Sequence, residues 1–292
     1  IISFWKNMGS PKKFNLIELG AGNGEMMKVM IESFKKFPSF ENSCNIFIRE
    51  KSPKLVKEQK KNVKCKNIKW ITNYKKLDKC PCIFIANEFF DAIPIKQFLK
   101  NRNNWFERYV CLSSNKKAKF VNKKINLREI EKKINFKVSE KQNFIEYSPL
   151  GFKYLKDIFS FIKRNDGGLL IIDYGYFSEK MKDTLQAIYK KKYSRVLENI
   201  GYSDITHNIN YYFIKKIAKN FKKLNINFTS QKKFLTNLGI YQRAEIISKN
   251  KTFSEKSNIF YRLKRLIDKK EMGNLFKVML IKKTNNNFQI GF

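Results

Sequence analysis

Apolar residues come in short blocks along the first ninety positions, each followed by a polar or amphipathic stretch. Asn15 to Leu19 reads as a short buried strand, and Glu25 to Phe37 has helical spacing that ends before Pro38. "NIFIRE" (45–50) is a second strand, with a turn at Ser52-Pro53 and a helix from Lys54. "IKWI" (68–71) is a third. "CIFIANEFFDAIP" (82–94) is a fourth strand that runs into a polar, acidic loop. This alternation of strand and helix predicts parallel βαβ units.

The pattern then changes. "KQFL", "WFERYV" and "AKFVNKK" read as short antiparallel strands. A helix is expected over Leu150 to Arg164. "GGLLIIDYGY" (167–176) is again a buried strand, opening into an acidic, glycine-containing turn. Residues 177–210 show little periodicity and read as an insertion over the carboxyl edge of the sheet. Helices are expected near 211–222, 231–238 and 255–269, and "LFKVMLIKK" (275–283) closes as a strand. With no internal repeat and no clear linker, 1–292 is expected to be a single domain with an insertion at about 177–225.

Composition narrows the picture. In 292 residues, 42% hydrophobic and 15% aromatic content is globular, and no apolar run approaches a bilayer-spanning length. The net charge of +36 comes mostly from lysines scattered along the chain among abundant Asn, Ile and Phe. This reads as a generally basic, solvated surface in preference to a nucleic-acid footprint. The five cysteines (44, 65, 80, 82, 111) are odd in number and form no CxxC pair. Cys80-Pro81-Cys82 is too short for a zinc knuckle, and His207 is the sole histidine. Neither a metal site nor a Ser-His-Asp triad is expected. Reduced thiols suit a cytosolic or matrix compartment. The chain starts at Ile1 with no signal peptide, so an N-terminally incomplete sequence is expected.

Candidate chemistry gathers at the strand ends. Gly20-Ala21-Gly22-Asn23-Gly24 follows the first strand with GxGxG spacing. A dinucleotide fingerprint needs GxGxxG, and a P-loop needs Gly-Lys-Ser/Thr. Gly20, Gly22 and Gly24 would instead allow close approach of an adenosyl and methionine portion. Glu18, two residues before the turn, can meet the ammonium of a bound amino acid. Glu50 ends the second strand, where a carboxylate can accept both ribose hydroxyls. Asn87, Glu88 and Asp91 emerge from the fourth strand and Asp173 from the next acidic strand end. Each has a plain structural alternative, as a cap, a turn or a salt-bridge partner. Together they suit a cationic acceptor such as an arginine, whose proton must be shared as its nitrogen becomes a nucleophile.

These stretches resemble the MidA-like S-adenosylmethionine-dependent methyltransferases. "IELGAGNGE" resembles the family's ELGPGxG turn, with Ala21 in place of proline. "REKSPKLVKEQ" resembles its E-x-S-P-x-L…Q segment, and "ANEFFDAIPIKQF" its ANEFFDALP signature. "WFERYV", "IEYSP", "GGLLIIDYGY", "DTLQAIYKKKY", "TSQKKFLTNLGIYQR" and "MGNLFKVM" match further elements in order, so the similarity covers nearly all of the chain. The resemblance implies a Rossmann-like α/β sheet with a helical insertion and S-adenosyl-L-methionine as cofactor. Glu18, Gly20, Gly22, Gly24, Glu50 and Asn87 would bind it, and Glu88, Asp91 and Asp173 would be catalytic. It implies symmetric dimethylation of an arginine on the respiratory complex I subunit near the quinone site, in assembly of that complex. A methyltransferase for RNA or a small molecule, and a non-catalytic assembly chaperone that binds the cofactor, are the alternatives. The expected partner is a protein, with neither nucleic acid nor membrane insertion, and a homodimer is left open. A bacterial cytoplasm is expected, with the mitochondrial matrix as the alternative. Two departures stand out. The family's N-terminal GYY and GDFxTxPE…FG patterns are absent. Asn208 and Asn210 occupy the histidine and aspartate positions of its DLTxHVDF-like stretch.

Overall fold

The structure is a computed structural model that describes residues 1–65, 67–74 and 77–292. The first ninety residues form α1 (Ile2–Asn7), β1 (Phe14–Leu19), α2 (Glu25–Phe34), α3 (Pro38–Ser43), β2 (Cys44–Arg49), α4 (Pro53–Asn62), β3 (Ile68–Ile71) and β4 (Cys82–Asn87). Every residue of β1 is buried, as a parallel strand covered on both faces requires. Pro38 sits in the first turn of α3, where its missing N–H costs nothing. Ser52 caps α4 by accepting the Leu55 N–H, with Pro53 in the first turn.

Next come β5 (Lys96–Asn101), β6 (Asn104–Leu112), β7 (Ala118–Ile125), α5 (Leu127–Ile134) and β8 (Phe144–Tyr147). The four strands form an antiparallel sheet in the order β7-β6-β5-β8. α6 (Pro149–Asn165) leads into β9 (Gly167–Tyr176). Then β10 (Gln186–Tyr189), β11 (Lys192–Ser194) and β12 (Asp204–Thr206) make a small antiparallel sheet, followed by β13 (Ile209–Asn210) and α7 (Tyr211–Lys219). The chain finishes with β14 (Leu224–Ser230), α8 (Gln231–Asn237), α9 (Ile240–Ser248), α10 (Phe253–Ile267), α11 (Met272–Leu275) and β15 (Phe276–Lys283).

The main sheet runs β14-β15-β9-β4-β1-β2-β3. β3, β2, β1, β4 and β9 are mutually parallel, and β15 lies antiparallel between β9 and β14. From β1 the chain builds outward through β2 and β3, then returns to add β4 and β9 on the other side. The direction reverses between β1 and β4, which makes their carboxyl ends a topological switch point, where open α/β sheets bind ligands.

The chain divides into two compact units. The first, Ile1–Phe89, Ile158–Gly175 and Ala218–Phe292, holds the main sheet. Phe14, Leu16, Met27, Phe40, Ile48 and Ile85 are part of its core. The second collects Phe90–Asp157 and Tyr176–Ile217. Among the described residues, no helix is long and apolar enough to cross a membrane.

Two stretches differ from their sequence patterns. The inserted segment, expected to be helical, holds β10 to β13 before α7. Its first hairpin turns on Lys190 and Lys191, both at positive φ (48° and 65°). No Asn-Gly or Asp-Gly announces that turn. Residues 224–230, between two expected helices, are the edge strand β14; "LNINFTS" carries the alternation of a strand paired on one side.

Candidate functional site

The glycine turn leaves β1 with all three glycines at positive φ: 63° at Gly20, 53° at Gly22 and 86° at Gly24. Their duties differ. A Cβ on Gly20 would lie 2.7 Å from the Phe89 ring, and one on Gly24 would lie 2.7 Å from Val63 Cγ2. Those two glycines let the chain itself pack close. Gly22 has nothing within 4 Å of its Cβ position, so the space open to a ligand lies there. The Gly20 N–H donates to the Arg49 carbonyl at 3.0 Å, tying the turn to the end of β2.

Glu18 lies in β1 just beneath the turn and is 2% exposed. Its Oε2 has no hydrogen-bond partner. Burial pushes its carboxyl up to about 7, because removing water penalises the charged form. A buried carboxylate oxygen left unsatisfied is costly, and a cationic ligand group above the turn would relieve it.

Glu50 follows β2 and is held in one orientation. Its Oε1 accepts the Lys51 N–H at 2.8 Å and the Ser52 N–H at 2.9 Å, and its Oε2 accepts Gln59 Nε2 at 3.3 Å. Gln59, fully buried on α4, also donates from Nε2 to the Gly22 carbonyl at 2.8 Å. Its Oε1 accepts Trp70 Nε1 at 2.9 Å. One side chain thus joins the acid at the strand tip, the glycine turn and β3. Sequence reasoning quoted Gln59 within a motif and gave it no role. The signal was there: Leu55, Gln59 and Val63 share one helix face at four-residue spacing, and an amide between two apolar residues needs partners.

Gln59 is therefore expected to position Glu50. On the proposed ribose-binding role, Glu50→Ala weakens S-adenosyl-homocysteine binding about a hundredfold, the scale of two hydrogen bonds to a charged group. Gln59→Leu weakens it about tenfold. The double variant should bind no more than a few-fold worse than Glu50→Ala alone, because Gln59 acts largely through Glu50. Calorimetric titration of the four proteins measures this coupling; fully additive losses contradict it.

β4 ends beside β9, with Asn87 in register with Ile172. The Glu88 N–H donates to the Ile172 carbonyl at 3.0 Å, and Asn87 Nδ2 lies 3.5 Å from Glu88 Oε1. Glu88 itself is exposed and sits at φ 46°, a conformation uncommon outside glycine that turns the chain sharply off the strand. Asp173 is fully buried. Its Oδ2 accepts the Phe89 N–H at 3.2 Å and its Oδ1 the Tyr174 N–H at 2.9 Å. The carboxylate pins the Glu88–Phe89 turn to the end of β9.

The first unit thus brings Glu18, Gly20, Gly22, Glu50, Asn87, Glu88 and Asp173 to adjoining strand ends at the switch point. Gly24 belongs to the same turn and serves packing. Asp91 falls in the second unit, buried, with its carbonyl accepting the His207 N–H at 3.1 Å.

Several motif stretches prove to be internal bracing of the second unit. Arg108 Nη1 donates to Gln97 Oε1 at 2.9 Å and Asp183 Oδ2 at 2.7 Å. Gln97 Nε2 donates to Glu146 Oε2 at 2.6 Å and Asp183 Oδ1 at 2.8 Å. The Thr184 hydroxyl donates to Glu146 and accepts the Asn208 N–H at 2.9 Å. Burial raises the Glu146 carboxyl, against the pull of its bonds from Thr184 and Gln97. His207 is likewise kept neutral-leaning by burial. Asn210 Oδ1 accepts the Tyr212 and Phe213 N–H groups at 3.0 and 3.2 Å, so it caps α7, which an aspartate there would also do. Among the described residues, no group of three or more His, Cys, Asp or Glu is placed to hold a metal ion.

Open space at Gly22, an orphaned carboxylate oxygen on β1 and a fixed carboxylate at the next strand tip suit an adenosyl amino acid better than a pyrophosphate. On a sheet with this strand order, they describe a nucleoside-dependent transferase of the Rossmann-like class. The family model Methyltransf_28, S-adenosyl-L-methionine-dependent methyltransferase, matches residues 1–229, and the chain belongs to that family. It is 27% identical over 304 residues to "Protein arginine methyltransferase NDUFAF7, mitochondrial" of Xenopus tropicalis, covering 94% of this chain and 70% of that protein. Against the human protein of that name it is 24% identical over 302 residues, covering 94% and 67%. A COG1565 superfamily member from Burkholderia thailandensis, crystallised with S-adenosyl-homocysteine, has the same fold: TM-score 0.79 at 19% identity, covering 100% of this chain and 76% of that one. The enzyme is a Rossmann-like methyltransferase, and its cofactor is S-adenosyl-L-methionine.

Proposed function

We propose that this methyltransferase modifies an arginine of a protein, making symmetric dimethylarginine on the complex I subunit near the quinone site during assembly of that complex. The observation that carries the reading is Glu88: an exposed carboxylate, forced off the end of β4 in a left-handed conformation and backed by the Asp173 anchor. The names of the relatives support an arginine acceptor, and support a mitochondrial location over a bacterial cytoplasm.

S-adenosyl-L-methionine supplies, when bound, an electrophilic methyl on a sulfonium. Glu18 meets the ammonium of its amino-acid portion, Glu50 accepts its ribose hydroxyls, and Asn87 lines the same edge. Glu88 accepts hydrogen bonds from the acceptor guanidinium and takes the proton it releases as the new N–C bond forms. Asp173 keeps Glu88 in place.

The test is methyl transfer from labelled S-adenosyl-L-methionine to the purified subunit, with acid hydrolysis and separation of the methylated amino acids. Label in symmetric dimethylarginine, lost in Glu88→Gln while S-adenosyl-homocysteine still binds, is the expected result. Label confined to another residue type or to RNA, or transfer indifferent to Glu88, contradicts the reading.

A further inference from the structure

The helical pair α9 and α10 carries none of the candidate residues of the cofactor edge. Its buried side is a small cluster of its own: Ala244, Leu263 and Ile267, with Ile240, Ile259 and Leu266 packed against it. The outward side is not the polar face such a helix ordinarily shows water. Phe253 is 89% exposed, Tyr261 67% and Ile246 58%, and Phe260 is also exposed. On α10, Phe253, Phe260, Tyr261 and Lys264 stand at i, i+7, i+8 and i+11 and so share one stripe. Cations flank it. Residues 240–270 carry nine Lys and Arg against Glu245, Glu255 and Asp268, a net +6 by the difference of nine and three. Lys251 pairs with Glu255; Lys256, Arg262, Lys264 and Arg265 are exposed and make no ion pair among the described residues.

We infer that the aromatic and cationic stripe of α10 docks onto an anionic lipid surface, with Phe253 and Phe260 entering between headgroups and the flanking lysines and arginines meeting their charge. Charge complementarity selects this occupant. A second copy of the chain would bring the same cations face to face. Protruding aromatics on a convex helix suit a deformable surface, and interfacial helices combine aromatic residues with Lys and Arg in this way. Each cation near an anionic leaflet strengthens attachment about fivefold. The inference stands apart from the arginine reading, since it involves no residue of the cofactor edge.

The experiment is sedimentation of the full chain with vesicles of phosphatidylcholine alone, and of equal parts phosphatidylcholine and phosphatidylglycerol. Binding to the mixed vesicles only is expected. Phe253→Ser with Phe260→Ser should lower partition about tenfold, and Lys256→Glu with Lys264→Glu at least as much. All four positions are exposed, so the fold is retained, and unchanged S-adenosyl-homocysteine binding checks that. Three results overturn the inference: no binding to mixed vesicles, equal binding to neutral ones, or binding indifferent to the phenylalanine pair, which would reduce the effect to the overall charge of +36. A short RNA that binds more tightly than vesicles and depends on the same phenylalanines would also overturn it, in favour of nucleic acid.

Discussion

Glu18→Gln is expected to make the protein more stable at about pH 8 and nearly unable to hold its cofactor. Both effects have one source. The folded state keeps the Glu18 proton up to about 7, above the ordinary value of 4.5. Folding therefore takes up a proton between those values. The carboxyl weighs least on stability below pH 4.5, and the native state loses ground as pH rises through 7. The shift corresponds to a penalty on the order of 3 kcal/mol for keeping the ionised group buried. Glutamine carries no such charge, so thermal unfolding near pH 8 should rise by roughly 5–10 °C. Near pH 5 the two proteins should converge. In the proposed cofactor-binding role, the same ionised carboxylate meets the ammonium of the ligand. S-adenosyl-homocysteine affinity should fall below pH 7, by up to about tenfold per unit, in the parent and not in the variant. An equal melting temperature for the two proteins near pH 8 would falsify the account. Strain of this kind, relieved by ligand, is the usual exchange of stability for function.

Asp173→Ala should lower methyl transfer about a hundredfold or more and change S-adenosyl-homocysteine affinity only a few-fold. Removing the carboxylate deletes the bonds it accepts from the Phe89 and Tyr174 N–H groups, and a hydrogen bond to a charged group contributes about 1.5–3 kcal/mol. It also frees Glu88 from its left-handed conformation, whose cost is of order 1–3 kcal/mol. The carboxylate proposed to receive the guanidinium proton then leaves its place. Asp173→Asn keeps one acceptor oxygen and should recover part of the rate. Equal loss of rate and of cofactor binding in the alanine variant would place Asp173 in the cofactor pocket.

The parallel core of the fold was legible because buried strands in βαβ units are near-continuous apolar runs, as in β1, β4 and β9. The strands of the second unit from β5 to β7 could be read from alternation. β10 to β12 could not, since their hairpin turns on lysines, and β14 hid because its alternating asparagines look like a loop between helices. At the site, the acids and glycines were visible as residue types at strand ends. Their division of labour was not. That Gly24 serves Val63 while Gly22 faces open space depends on contacts with segments forty residues away. That Gln59 orients Glu50 depends on the register of α4 over the turn. The motif residues Gln97, Arg108, Glu146 and Asp183 show what a motif does not say: they brace one another.

The position of β15 sets an order of events during synthesis. This strand, residues 276–283, is inserted between β9 and β14, both of which precede it in the chain. As a nascent chain leaves the ribosome, β1 to β4 and β9 can pair early, yet the run of β9 from Gly168 to Tyr174 lacks its β15 partner until about a hundred further residues have emerged. Long-range pairing of this sort is slow and leaves an open strand edge prone to wrong partners. Ribosome-stalled chains ending before residue 276 should therefore be bound by chaperones and digested within β9, and release should follow once the last strand is made.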